Sequence, residues 1–517
     1  MELLPLHPLT QAAARPQSWV KVIDQTKCIG CHACTTACKS ENEVPVGVSR
    51  TYVKSVDVGE FPQARRAFQV NRCNQCVDAP CMTACPTSAM FKRSDGIVDF
   101  DKQSCIGCKA CMAACPYDAI FINPSDHSAE KCNFCAHRLD VGLEPACVTV
   151  CPVEAILVGD QHNPLSKVSQ IVGREPVQVR RPEKGTSPKL FYKGAHQATL
   201  DPLAAVQPDG DIFAWAQQAP TDSRQINSGA PAGHQTSAAA ALLSHDVGHS
   251  VPWDWRVGAY TWTKSIAAGV YLVAAVLVVL GVLDPASTLW RLTVPLISAG
   301  ALAVTGALLI WDLEHPSRFY FIFTRPQWRS WLVRGGVIIG AYGAVLGLHL
   351  VASMLRVDRL GTALIAPGIP LSVATAVYTA FLFAQAKGRD LWQNPLLAPH
   401  FAVQAVLAGA GTLALTGFTD TPEVRTAISW TLAVAAAVHL LMIAGEVSLP
   451  HVTAHARLAS HHLTAGRFAP LFWTGVVCSL IAVAAPLAPL ACGAIALAGL
   501  LAFEHAYVQA GQSVPLA

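Results

Sequence analysis

Sixteen of the chain's 18 cysteines lie between Cys28 and Cys151, in four groups. The first, Cys28-x-x-Cys31-x-x-Cys34-x-x-x-Cys38, and the third, Cys105-x-x-Cys108-x-x-Cys111-x-x-x-Cys115-Pro116, are near copies (CIGCHACTTAC and CIGCKACMAAC). The second holds Cys73, Cys76, Cys81 and Cys85-Pro86; the fourth holds Cys132, Cys135, Cys147 and Cys151-Pro152. A [4Fe–4S] cube needs four thiolates at its corners. Three cysteines spaced C-x-x-C-x-x-C wrap one cube in a tight loop, and a fourth, three residues on, points away to a neighbouring cluster. The groups therefore account for four cubanes with no cysteine left over. Zinc ribbons pair C-x-x-C units around one tetrahedral ion and lack runs ending in Cys-Pro. Disulfides would need an exported, oxidising setting, and residues 1–18 carry neither a long apolar core nor a twin arginine. Cys478 and Cys492, in apolar segments, read as packing.

The cysteine groups sit among short strand-like runs, such as 19–23 and 119–122, broken by Pro and Gly. The chain is then read as four parts: a tail (1–18), a double ferredoxin-like α+β domain (19–194), a polar linker (195–254) and an all-α integral membrane domain (255–517). Composition supports the division. Residues 1–256 hold 24 Lys/Arg and 25 Asp/Glu, residues 257–517 only 13 and 9. Charged residues make up 14% of the whole, too few for an ordinary soluble enzyme. The near-zero net charge of the first half gives no footprint for nucleic acid. Eight apolar runs are long enough to span a bilayer: 262–283, 289–311, 331–354, 360–384, 397–416, 427–446, 470–488 and 490–510. Pro486 and Pro489 predict a tight turn between the last two.

Residues 19–160 resemble the four-cluster ferredoxin subunit of the complex iron–sulfur molybdoenzymes, the family of dimethyl sulfoxide, polysulfide and tetrathionate reductases. The resemblance implies that group one pairs with four and group two with three. Cys28, Cys31, Cys34 and Cys151 would hold one cluster, and Cys38, Cys132, Cys135 and Cys147 the next. Cys73, Cys76, Cys81 and Cys115 would hold a third, and Cys85, Cys105, Cys108 and Cys111 the fourth. Lys39 departs from the pattern, standing where the other groups have Pro.

The second half resembles the NrfD-type membrane subunit of polysulfide reductase. The likeness rests on helix number and on two loop motifs, Trp311-Asp312-Leu313-Glu314-His315-Pro316-Ser317-Arg318-Phe319 and Lys387-Gly388-Arg389-Asp390-Leu391-Trp392. It implies a quinone site near the iron–sulfur side and no haem. Candidate quinone residues are Tyr378, which matches a quinone-contacting Tyr of the family's fourth helix, with Tyr260, Lys264, Asp312, Glu314, His315 and Arg318. Interfacial anchoring is the competing role for Arg318 and Lys387, and local capping or pairing for Asp312. Intramembrane ionisable groups are costly and become functional candidates by default. His349, His439, Glu446, Glu504 and His505 qualify. His439 and Glu446, seven apart on one helix face, are the proton-route candidates. Haem ligation is the rival use of His349, His439 and His505. His451, His455, His461 and His462 lack acidic partners nearby and read as a solvated interfacial helix.

Short loops on the ferredoxin side carry Arg318, Arg325, Arg329, Lys387, Arg389, Arg457 and Arg467; the other side carries Arg291, Arg356, Arg359 and Arg425. The positive-inside rule then places the iron–sulfur domain in the cytoplasm of a prokaryote, at the inner membrane, with the periplasmic face as the alternative. The expected function is electron transfer and membrane anchoring. Four clusters would link menaquinone or ubiquinone to a separate molybdenum or tungsten pterin subunit, for which the chain has no room. The alternative is a quinol-oxidising, ion-coupled complex passing electrons to a cytochrome partner.

Overall fold

A computed structural model describes residues 17–59, 62–206, 241–416 and 421–517. Most of the expected tail and residues 207–240 of the expected linker lie outside the described residues. Compactness divides the chain into two units. The first lies within Met1–Ala79, Phe91–Asp99 and Lys131–Val247, the second within Pro80–Met90, Phe100–Glu130 and Gly248–Ala517.

The strands are β1 (Trp19–Asp24), β2 (Thr51–Val58), β3 (Arg65–Arg72), β4 (Met90–Lys92), β5 (Val98–Phe100), β6 (Ile120–Ile122), β7 (Ala129–Lys131), β8 (Ile156–Asp160), β9 (Val177–Gln178), β10 (Leu190–Lys193) and β11 (Ala241–His245). They form a four-stranded sheet in the order β8-β1-β10-β9, a three-stranded sheet β11-β2-β3, and the pairs β4-β5 and β6-β7. Central β1 is antiparallel to β8 and parallel to β10. It is buried on both faces. Val20 and Val22 pack on Val168 and Ile171, while Ile23 joins Val53, Val70, Leu190, Tyr192, Cys34 and Cys147. Side chains alternate along a strand, so Lys21 shares the face of Ile23. Helix α1 (Ala33–Glu41) buries Cys34 and Cys38, four apart and so on one face.

The described ends of the polar stretch, residues 195–206 and 241–254, carry regular structure. They hold a short helix, Gln197–Leu200, and β11, which pairs antiparallel with β2. Ala241 and Leu243 pack on Val56 and Val58. A five-residue strand with two inward side chains is too short to register as periodicity.

The helices of the second unit are α2 (Trp255–Val279), α3 (Val294–Trp311), α4 (Trp331–Met354), α5 (Ile365–Gln385), α6 (Leu397–Leu415), α7 (Pro422–Ser448), α8 (Ala454–Thr464), α9 (Ala469–Ala482) and α10 (Pro489–Gln512). A π-helical turn, Leu289–Thr293, leads into α3. Helix α2 starts seven residues before the apolar run because Asp254 caps it, its side chain accepting from Arg256 N. Helices α2 and α6 cross at glycines: a Cβ on Gly269 would stand 1.7 Å from Ala405 O. Seven of the described helices, counting the turn with α3, are long and apolar enough to span a membrane; the pair α8–α9, bent by 69°, makes an eighth. The run 470–488 yields only the 14 residues of α9, about 21 Å at 1.5 Å per residue. It must nonetheless cross. Asn394 bonds Glu446 near the end of α7, and Thr453 bonds Asp390, while Arg389 bonds the carbonyl of Gln512 at the end of α10. Both helices thus end on one side, and the chain between them needs an even number of crossings.

Candidate iron–sulfur cages and a buried polar cluster

Two of the expected ligand sets fall wholly in the first unit. Cys28, Cys34 and Cys151 are mutual neighbours, with Cys31 beside Cys28. Cys31 is exposed. Cys38, Cys132, Cys135 and Cys147 likewise lie together. Burial pushes the Cys38 thiol up to about 12. Burial would do the same to Cys147, but Lys21 and Arg72 outweigh it and bring that thiol down to about 7. Asn42 Nδ2 donates to Cys38 Sγ at 3.7 Å and to Cys135 Sγ at 3.8 Å. Of the third set, Cys73 and Cys76 belong to the first unit and Cys81 and Cys115 to the second.

The fourth set lies wholly in the second unit. Cys85, Cys105, Cys108 and Cys111 line one cavity with Ile106, Gly107 and Lys109. Backbone N–H groups of Gly107 and Ala129 donate to Cys105 Sγ, each at 3.4 Å. Gly107 and Lys109 take the left-handed conformation, φ 69° and 60°, and the equivalent Gly30 and His32 of the first group take it at 69° and 58°. Among the described residues no three His, Cys, Asp or Glu side chains are placed to hold a single ion. Four cysteines converging on one cavity, with no three of them close enough for a single ion, suit a cube and not tetrahedral zinc, whose sulfurs sit about 2.3 Å from the metal.

The loop after α3 clamps this cage. Glu314 N and His315 N donate to Gly107 O (3.3 Å) and Ile106 O (3.2 Å). Lys109 Nζ lies 3.0 Å from Glu314 and 3.5 Å from Asp312, and donates to Asp312 O. Arg318 Nη1 donates to Lys102 O and Cys105 O, both at 2.9 Å. Burial pushes the Asp312 carboxyl up to about 6, against the pull of Lys109 and Arg256; burial also lowers His315. Further on, Gln327 N donates to Pro86 O and Ser330 Oγ to Ala84 O.

A polar cluster lies inside the helices on the side nearest this cage. Lys264, fully buried, donates to Ala376 O (2.6 Å) and Thr379 Oγ1 (2.9 Å), over the rings of Phe401 and Tyr378. Tyr260 neighbours Tyr378, Thr379 and Asp312. Ser265 Oγ donates to Glu504 Oε1 at 3.4 Å. A small cavity lined by Thr261, His400, Gln404, Glu504 and Tyr507 joins Glu504 to His400. His400 Nε2 hydrogen-bonds His439 Nδ1 at 2.9 Å, and its Nδ1 lies 3.9 Å from Glu446 Oε2.

Comparison with known proteins agrees with both parts. Residues 64–161 match the 4Fe-4S dicluster domain, residues 19–40 a 4Fe-4S binding domain, and residues 244–497 the family described as polysulphide reductase, NrfD. The chain is 40% identical over 203 residues to a subunit of the tetrathionate reductase of Salmonella typhimurium, covering 38% of this chain and 81% of that one. It is 43% identical over 171 residues to a subunit of the polysulfide reductase of Wolinella succinogenes, 32% of this chain and 90% of that one. The arsenate respiratory reductase iron–sulfur subunit of Shewanella is 37% identical over 220 residues, 33% of this chain and 94% of that one. The chain belongs to this family of reductase iron–sulfur subunits. Here the subunit is continuous with an NrfD membrane domain. Its cofactors are iron–sulfur clusters, and it serves electron transfer and membrane anchoring beside a catalytic partner.

Within the NrfD domain the quinone candidates divide. Tyr260, Lys264 and Tyr378 come together, whereas Glu314, His315 and Arg318 engage the Cys105–Cys111 cage; Asp312 touches both groups. His439 and Glu446 are both buried, but they meet through His400 and not directly. His400 went unnoticed in the sequence because its partners lie 39 and 46 residues away on another helix; its place three residues into an apolar run was the available signal. His349 sits near the opposite end of α4, against Trp290 and Tyr271.

Proposed function

We propose that the chain conducts electrons between a membrane quinone and a separate molybdenum- or tungsten-pterin catalytic subunit through four [4Fe–4S] clusters, bound by the four ligand sets given above. The clusters supply one-electron storage and transfer. The protein's residues do the rest. The cysteine sets fix the cages, and the Lys109–Asp312–Glu314 clamp fastens one cage to the loop that ends α3. Quinone is assigned to the group Tyr260, Lys264 and Tyr378. The observation that carries this reading is Asp312, which pairs with the cage residue Lys109 and also neighbours Tyr260.

Quinone chemistry moves two protons with two electrons. Lys264 and the two tyrosines supply hydrogen-bonding groups for the quinone oxygens, and Glu504, His400, His439 and Glu446 hold or pass protons toward the cage-side face. The basic loops on that face favour the cytoplasm as its side, at the inner membrane. The relatives belong to reductases of tetrathionate, polysulfide and arsenate, which sets the class of terminal substrate proposed for the partner. The test is cluster reduction by quinol in membrane vesicles. Tyr378→Phe is expected to slow it by about tenfold or more while dithionite still reduces every cluster. Unchanged quinol kinetics would remove Tyr378 from the site.

A further inference from the structure

Strand β3 ends on Arg72 and β1 carries Lys21, and both reach one thiol. Arg72 Nη1 donates to Cys147 Sγ at 3.0 Å, and Lys21 Nζ stands 3.9 Å from the same sulfur. Each residue is 1% exposed. Arg72 Nε and Nη2 have no hydrogen-bond partner, and Lys21 Nζ lies 4.0 Å from the centre of the Phe134 ring. Among the described residues neither cation pairs with a carboxylate. Lys109 beside Cys108 differs in this respect, being held by Asp312 and Glu314. Two buried cations without carboxylates are costly unless a negative group occupies the space they face. A cubane on four thiolates is that group. It is a dianion when oxidised, and each electron adds a further negative charge without a proton.

We propose that Arg72 and Lys21 hold the cluster bound by Cys38, Cys132, Cys135 and Cys147 at a higher potential than the cluster bound by Cys28, Cys31, Cys34 and Cys151, making it a resting place for a single electron. Local charge and hydrogen bonds to sulfur set such potentials. Among the described residues no cationic side chain donates to the sulfur of Cys28, Cys31, Cys34 or Cys151, and Cys151 accepts instead from the backbone N–H of Ala155. The proposal rests on the ligand assignment above.

The test is a redox titration of the full-length protein followed by electron paramagnetic resonance. In Arg72→Gln one cluster is expected to reduce less readily, its reduced-to-oxidised ratio at fixed potential falling tenfold or more. That is about 59 mV for one electron. The other signals should move less, and Arg72→Lys should restore most of the change. Unmoved signals at unchanged iron content would overturn the proposal. If Arg72→Gln loses iron, Lys21→Met decides: the same signal must fall, and its standing still overturns the proposal. Cys147→Ser checks the ligand set separately. If it leaves that signal and the iron content untouched, the assignment fails, whatever the potentials do.

Discussion

Gly107→Ala tests whether the cage and the loop after α3 are truly interlocked. Gly107 has φ 69°, and a Cβ there would stand 2.4 Å from Glu314 Cβ and 2.9 Å from Glu314 N. Gly47 supplies the control: its φ is 90°, and nothing lies within 4 Å of an added Cβ. Alanine in the left-handed region costs about 1–2 kcal/mol, offset by roughly 0.4–1 kcal/mol from the stiffer unfolded chain. Gly47→Ala should therefore cost about 1 kcal/mol or less. Gly107→Ala carries the same strain and also pushes the loop away. The two backbone bonds to Gly107 O and Ile106 O contribute about 1 kcal/mol each. The Lys109–Glu314 pair adds less than that, because the glutamate is 29% exposed and solvent screens it. The sum is about 3 kcal/mol. Thermal bleaching of cluster absorbance in detergent should begin clearly earlier for Gly107→Ala than for Gly47→Ala. Coincident bleaching curves would refute the interlock.

Three further outcomes are expected. His400→Phe removes the shared partner of His439 and Glu446, and should slow quinone-dependent turnover by about tenfold or more, a modest loss for a proton-transfer group; added imidazole should recover part of it. Lys264→Met leaves Ala376 O and Thr379 without their donor, and should weaken quinone dependence while cluster content holds, read as a raised KM in vesicles. Lys54 is 2% exposed, and burial brings its ammonium down to about 8. The unfolded chain holds that proton up to about 10.5, so wild-type stability from this group rises between pH 8 and 10.5. Lys54→Met should thus be the more stable form at pH 7, by up to about 3 kcal/mol at 1.36 kcal/mol per pKa unit, with the gap in melting temperature closing by pH 10.

The cysteine frame was legible because cluster ligation is written in local spacing, and groups one and three repeat it almost letter for letter. The spans were legible because a bilayer demands long apolar runs. Helix α9 resisted, since 14 residues and a proline-bounded turn share one crossing. The Asp312–Arg318 motif was read as a source of quinone candidates, and its second role was hidden: the backbone N–H groups of Glu314 and His315 and the Arg318 guanidinium donate to carbonyls of Gly107, Ile106 and Cys105. That role depends on contacts some 200 residues apart, which no window along the chain contains. His400 escaped for the same reason.

The left-handed residue inside each duplicated cysteine run has a consequence for what each copy can hold. The backbone is alike in the two copies, but the side chain differs: His32 meets the ring of His245 on β11 edge-on, at 5.0 Å between centroids, whereas Lys109 takes the two acids of the α3 loop. One lysine in place of one histidine thus gives the same turn two different jobs, an edge-on ring contact in the first copy and a charged latch in the second.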